Sequence, residues 1–217
     1  MTPLQLTPAS PDGSLAVTLP PQVELSAAAP STLRALEVCV PPGMTHLDLS
    51  ELPGGVMLHL HGGADLRWLA LPPGSGAHLH LSLAGAPALH IVGPLSWLDA
   101  CWTTPEGPAT LTARWNEEGL AVRPPRLRGA WLGPVAQAPA DVELLAVCGS
   151  TDTVLELSGH GAHVMVVQEA RVLRELRVAS PALLCVIDAP QLGSITGERP
   201  QGITLSLIHI SEPTRPY

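Results

Sequence analysis

The chain contains no Phe and no Lys, a single Tyr (Tyr217) and a single Asn (Asn116). All eleven basic residues are Arg. The scarce residues use A/T-rich codons, whereas Pro, Ala, Gly and Arg use G/C-rich ones. A G/C-rich bacterial genome is therefore the simplest cause, and the missing Lys need carry no functional meaning. The net charge of −8 argues against nucleic acid, which requires a basic patch to displace counterions. The one local exception, Arg123, Arg126 and Arg128 in "RPPRLRG", reads as a solvated loop. No apolar run approaches the roughly 20 residues that span a bilayer, so no membrane span is expected. The start "MTPLQLTPASPDGSLAV" lacks the basic and continuous apolar regions of a standard signal peptide. Cys39, Cys101, Cys148 and Cys185 are far apart and form no CxxC. Buried, reduced cysteines in a cytoplasmic protein are expected, with export lacking a standard signal as the alternative.

What is abundant is equally directive. Apolar residues reach 46%, almost all Leu, Val and Ala, in a chain of 217 residues with 24 Pro and 20 Gly. Such punctuation cuts helices and strands into short pieces. Residues 1–32 read as a weakly ordered or capping segment. From 33 to 102 short alternating runs recur: "ALEVCV", "HLDLS", "MLHLH", "WLALP", "HLHLS" and "ALHIV". Their markers Leu36, Leu47, Leu58, Leu69, Leu79 and Leu89 step by 11, 11, 11, 10 and 10. Period-two alternation between Pro/Gly breaks means half-buried strands, and the regular spacing means a repeat. The expected class is all-β: a parallel β-solenoid, with an antiparallel meander or sandwich as the alternative. In the solenoid Leu36, Leu58 and Leu79 stack in one inner row, and Leu47, Leu69 and Leu89 in another.

Residues 103–140 read as a hairpin with its turn at Asn116 to Gly119, followed by a Pro/Gly-rich connector. A second repeat region, 141–204, carries the markers Leu145, Leu155, Val164, Leu176 and Val186. "VVQEARVLRELRV" is read as strand, a short helix being the alternative.

"LRALEVCV", "THLDLSELPGG" and "LPPGSGAHLHLSLAGAPAL" resemble leucine-rich repeats over residues 33–98. The family's Asn, which bonds the backbone inside each turn, is missing, so the less specific β-solenoid is expected. The resemblance implies recognition by stacked repeats. It also motivates a delivered bacterial effector as an alternative function. Residues 205–217 form an odd tail: "LSLIHISEPTR", eleven residues from Leu205, looks like a translated sequencing adapter. Native sequence is accordingly expected to stop near Thr204, which leaves the true C-terminus open, and His209 is not counted among functional histidines.

The most suggestive chemistry is four histidines at alternate strand positions. If Leu58 and Leu79 face inward, His59, His61, His78 and His80 share one outer face, as candidate ligand or metal residues. In the same register Glu37 and Cys39 lie on the coil before, and Asp99 and Cys101 on the coil after. Imidazoles on neighbouring strands can grip a divalent metal. The blander reading, polar residues on the wet side of a sheet, is the stronger one, and no metal or cofactor is required. His160 and His163 in "SGHGAH" read as a tight turn. Glu117 and Glu118 sit in the expected hairpin turn, and Asp48 and Asp99 on different expected sheets. A carboxylate pair for a carbohydrate-active β-helix enzyme is thus missing. No GxSxG, HExxH or Walker loop occurs. Trp68, Trp97, Trp102, Trp115 and Trp131 are read as more often buried than stacked on a ligand. These features lean away from an enzyme and towards a structural or partner-binding protein with a protein or carbohydrate partner.

Overall fold

The computed structural model describes residues 14–18, 33–73, 77–85, 87–104, 107–114, 127–148, 150–157, 162, 164–168, 170–179, 183–187, 189–197 and 202–206. The first half contains β1 (Ser14–Thr18), β2 (Ala35–Val40), β3 (His46–Asp48), β4 (Met57–Gly62), β5 (Trp68–Ala70), β6 (Ala77–Leu83), β7 (Leu89–Thr104) and β8 (Gly107–Arg114). After it come β9 (Leu127–Leu132), a 3-10 turn (Val135–Gln137), β10 (Leu144–Cys148), β11 (Val154–Leu157), β12 (Val164–Gln168), β13 (Glu175–Val178), β14 (Leu183–Ile187), β15 (Ser194–Gly197) and β16 (Gly202–Ser206). Among the described residues there is no α-helix, and none that could cross a membrane. Residues 164–168 and 175–178 are strands with a turn at 171–172, so the helical alternative is not realised among the described residues.

The fold is a parallel β-solenoid of about six turns. Alternation dictates it: β2 reads outward at Glu37 and Cys39 and inward at Leu36, Val38 and Val40. Leu36, Leu58, Leu79 and Leu98 are Cα partners across β2, β4, β6 and β7, so the first expected inner row is present and one coil longer. In the second wall Leu47 pairs with Leu69, which pairs with Ile91. The expected third member, Leu89, is instead opposite Leu132; both Leu89 and Ile91 are fully buried, so composition alone does not reveal the two-residue offset.

The corner explains that offset. β7 is a 16-residue strand whose beginning lies beside β5 and whose end lies beside β6, so it turns the corner unbroken. Gly93 sits at the bend with φ 120°, and a Cβ there would lie 3.0 Å from the Leu71 Cβ. Only glycine tolerates both the dihedral and the approach.

β8 then runs antiparallel to the end of β7, with Thr104 opposite Gly107. The hairpin is therefore formed by β7 and β8. The expected turn at 116–119 lies outside the described residues, and its first arm, "LTAR", is the end of β8. β9 is antiparallel to the start of β7, and β10, β12, β14 and β16 stack parallel on it. β11, β13 and β15 form a separate parallel sheet.

The shared sheet is buried on both sides where the halves meet. Leu144, Ala146, Val164 and Val166 join the first core, while Leu145, Val147, Met165 and Val167 join the second. The second half thus coils on the opposite side of this sheet with its strands reversed. Reversal of direction together with a change of side is a half-turn about the stacking axis, which preserves handedness. Here the inner row is Leu145–Met165–Leu184, so the marker Val164 faces the other core, while Leu155 and Leu176 pair as spaced. β1 extends the first sheet from within residues 1–32, and β16 reaches Leu205 and Ser206.

Candidate functional site

Three outward rows cross the first sheet because β2, β4, β6 and the end of β7 are in register. One row is Met57–His78–Trp97, the next Glu37–His59–His80–Asp99, and the third Cys39–His61–Ser82–Cys101. The structure places all four candidate histidines on this one face, with the flanking residues on the coils that the spacing implies.

It does not make them one cluster. Only His59 and His80 meet ring to ring, with centroids 4.6 Å apart and planes 5° from parallel. His61 pairs with Ser82 in register and turns its Nε2 to the Glu37 carboxylate at 3.2 Å. His78 tilts against Trp97 at 5.4 Å. His80 places Nδ1 3.3 Å from Asp99 Oδ2, and that oxygen also accepts a 2.8 Å hydrogen bond from Trp97 Nε1. The other Asp99 oxygen, Oδ1, is buried without a hydrogen-bond partner.

Parallel stacked rings aim their nitrogens side by side and not at a common point. Among the described residues no group of three or more His, Cys, Asp and Glu is placed to hold a metal ion. The pKa of His59 is pushed below the ordinary imidazole value, first by burial and then by the neighbouring His80 and His61, with Glu37 opposing. Glu37 and Asp99 are separated by three strand spacings, roughly 14 Å at about 4.8 Å each, beyond the separation of paired acid/base carboxylates.

No family model, curated protein or solved structure matches this chain. The geometry of the face is accordingly the basis for any functional reading.

Asp48 lies on β3 in the opposite wall, where its Oδ1 accepts from the Ser50 amide at 2.9 Å, so it forms no pair with Asp99. Cys39 is exposed and Cys101 and Cys185 are half-buried, so the expected burial of the cysteines is not met at these three; all are free thiols, and partial burial raises the pKa of Cys185. Arg123, Arg126, Glu117, Glu118, His160 and His163 lie outside the described residues, and Arg128 falls in β9.

Two features escaped sequence reasoning. On the outside of the second wall, His46, Trp68 and His90 form another row in register, with His46 and Trp68 6.0 Å apart, while the next register partner, Trp131, is buried in the second core. The outward parity of Trp68 beside inward Leu69 was the available signal. Where the halves meet, a cavity of about 570 Å³ is lined by Trp102, Leu132, Pro134, Val147 and Leu155 among others. It depends on the chain reversal, which no local pattern encodes.

Proposed function

We propose that the protein is a non-catalytic, partner-binding β-repeat protein whose recognition surface is the outer face of the first sheet. The observation that carries this reading is the row Glu37–His59–His80–Asp99, four side chains from successive strands with the two central rings stacked. A wet sheet face asks only for polar residues. It does not ask for stacked imidazoles bordered by carboxylates, or for an indole bonded to one of them. Stacked repeats use such extended rigid faces for recognition. With Glu37 against His61 and Asp99 against His80 and Trp97, the face favours holding a partner over transferring protons.

The test is retention on a panel of immobilised glycans and peptides, with product analysis, for the wild type and His59→Ala/His80→Ala. The expected result is a ligand whose affinity falls by at least about tenfold (roughly 1.4 kcal/mol) in the variant, with no product formed. Turnover of any panel member, or a panel with no face-dependent ligand, overturns the reading.

A further inference from the structure

The face sets four imidazoles against two carboxylates, so its formal charge depends on how many of the imidazoles carry a proton. With the imidazoles neutral, Glu37 and Asp99 give it −2; with His59, His61, His78 and His80 protonated it reaches +2. His61 and His80 already stand against carboxylates, so the surplus charge falls on His59 and His78. Resting on the recognition reading above, we propose that the face is an acid-gated binding site for a polyanionic polysaccharide.

The groups that surround His59 and His78 are specific. β2 presents Glu37 and Cys39, β4 presents His61 and Met57, β6 presents His80, and β7 presents Trp97, Asp99 and Cys101. Arg114 of β8 occupies the register position beyond Trp97. An extended face of parallel rows fits a polymer better than a compact ligand. The Met57–His78–Trp97 row offers apolar and aromatic surface to sugar rings, and the adjacent imidazolium row offers charged donors to sulfate or carboxylate. Burial and neighbouring imidazoles disfavour the proton on His59 in the free protein. An anion over that ring supplies the missing counter-charge, so polymer binding and proton uptake are linked. An acidic medium and such polymers are met outside a cytoplasm, and the inference therefore goes with the exported alternative.

The probe is dextran sulfate, whose charge is constant over the working range, so any pH dependence comes from the protein. Uncharged dextran serves as its twin. Affinity is expected to rise at least about tenfold from about pH 7.5 to about pH 5.5, to fall with salt, and to be absent for dextran. His59→Gln/His78→Gln is expected to lose most of the gain. His46→Gln, which removes an imidazole on the opposite wall, is expected to keep it, and melting curves confirm that all variants are folded. Affinity independent of pH, an equal loss in His46→Gln, or tighter binding of polyaspartate than of dextran sulfate contradicts the inference. Neutral dextran held through the face equally at both pH values sinks the inference but leaves the recognition reading standing. Dextran sulfate binding indifferent to the face variants removes the inference alone, because the glycan and peptide panel judges the broader reading independently.

Discussion

His59 is the residue on which packing and charge meet most closely. Its ring lies flat on His80, with His61 along its own strand and Glu37 on the strand before. Because the folded protein holds its pKa below the ordinary imidazole value, the unfolded chain takes up that proton first as pH falls. Stability from this residue is therefore complete above the ordinary imidazole pKa of about 6.5 and is withdrawn as pH drops through and below it. In the absence of polyanion, the melting temperature should fall between about pH 7.5 and pH 5, and His59→Gln should flatten part of that fall. An identical slope in the variant would show that the burial of His59 and its neighbouring imidazoles do not govern the titration.

At the scale of the element, glycine marks where coils approach too closely for a side chain. Gly62 ends β4 with φ 91°, and a Cβ there would sit 2.5 Å from the Val40 carbonyl oxygen of the preceding coil. Gly197 ends β15 with φ 107° against Val178 in the same relation, so both halves use one device. Gly62→Ala should destabilise by about 1–3 kcal/mol, from the positive dihedral and the backbone contact together, as read by chemical denaturation. Gly43→Ala has the dihedral without the contact and should cost less, since nothing lies within 4 Å of its Cβ position.

The elements themselves were legible because period-two alternation is a local property: "ALEVCV", "MLHLH" and "HLHLS" name both their inner and their outer faces. From the steps between Leu36, Leu58 and Leu79 follow the partners Glu37, His59, His80 and Asp99, and hence the candidate face. The offset of Leu89 was not legible, because Leu89 and Ile91 are equally apolar and only the unbroken bend at Gly93 selects between them. The same holds in the second half for Leu145 and Val164, since a strand buried on both sides shows no alternation to read. Nor could spacing separate a stacked His59–His80 pair from a four-histidine cluster, because ring orientation depends on Asp99 and Glu37 drawing His80 and His61 aside.

For the whole molecule, the organising feature is a sheet shared by two coils lying on its opposite sides. It begins where β9 reverses against β7, and it places β12 between two cores. The first half is left with one outer face carrying Glu37, the four histidines, Trp97 and Asp99. That face exists only with parallel stacking in this register; an antiparallel meander would pair the same strands differently and dissolve the rows. The most direct measurement is disulfide formation between paired cysteines introduced in a Cys39→Ser/Cys101→Ser background. His59→Cys/His80→Cys should oxidise readily to an intramolecular bridge, because register partners on adjacent strands bring Cα atoms within the roughly 4.4–6.8 Å that a disulfide spans. His59→Cys/His78→Cys, one row out of register, should not. Bridging of the second pair, or of neither, would contradict the parallel register and with it the proposed face.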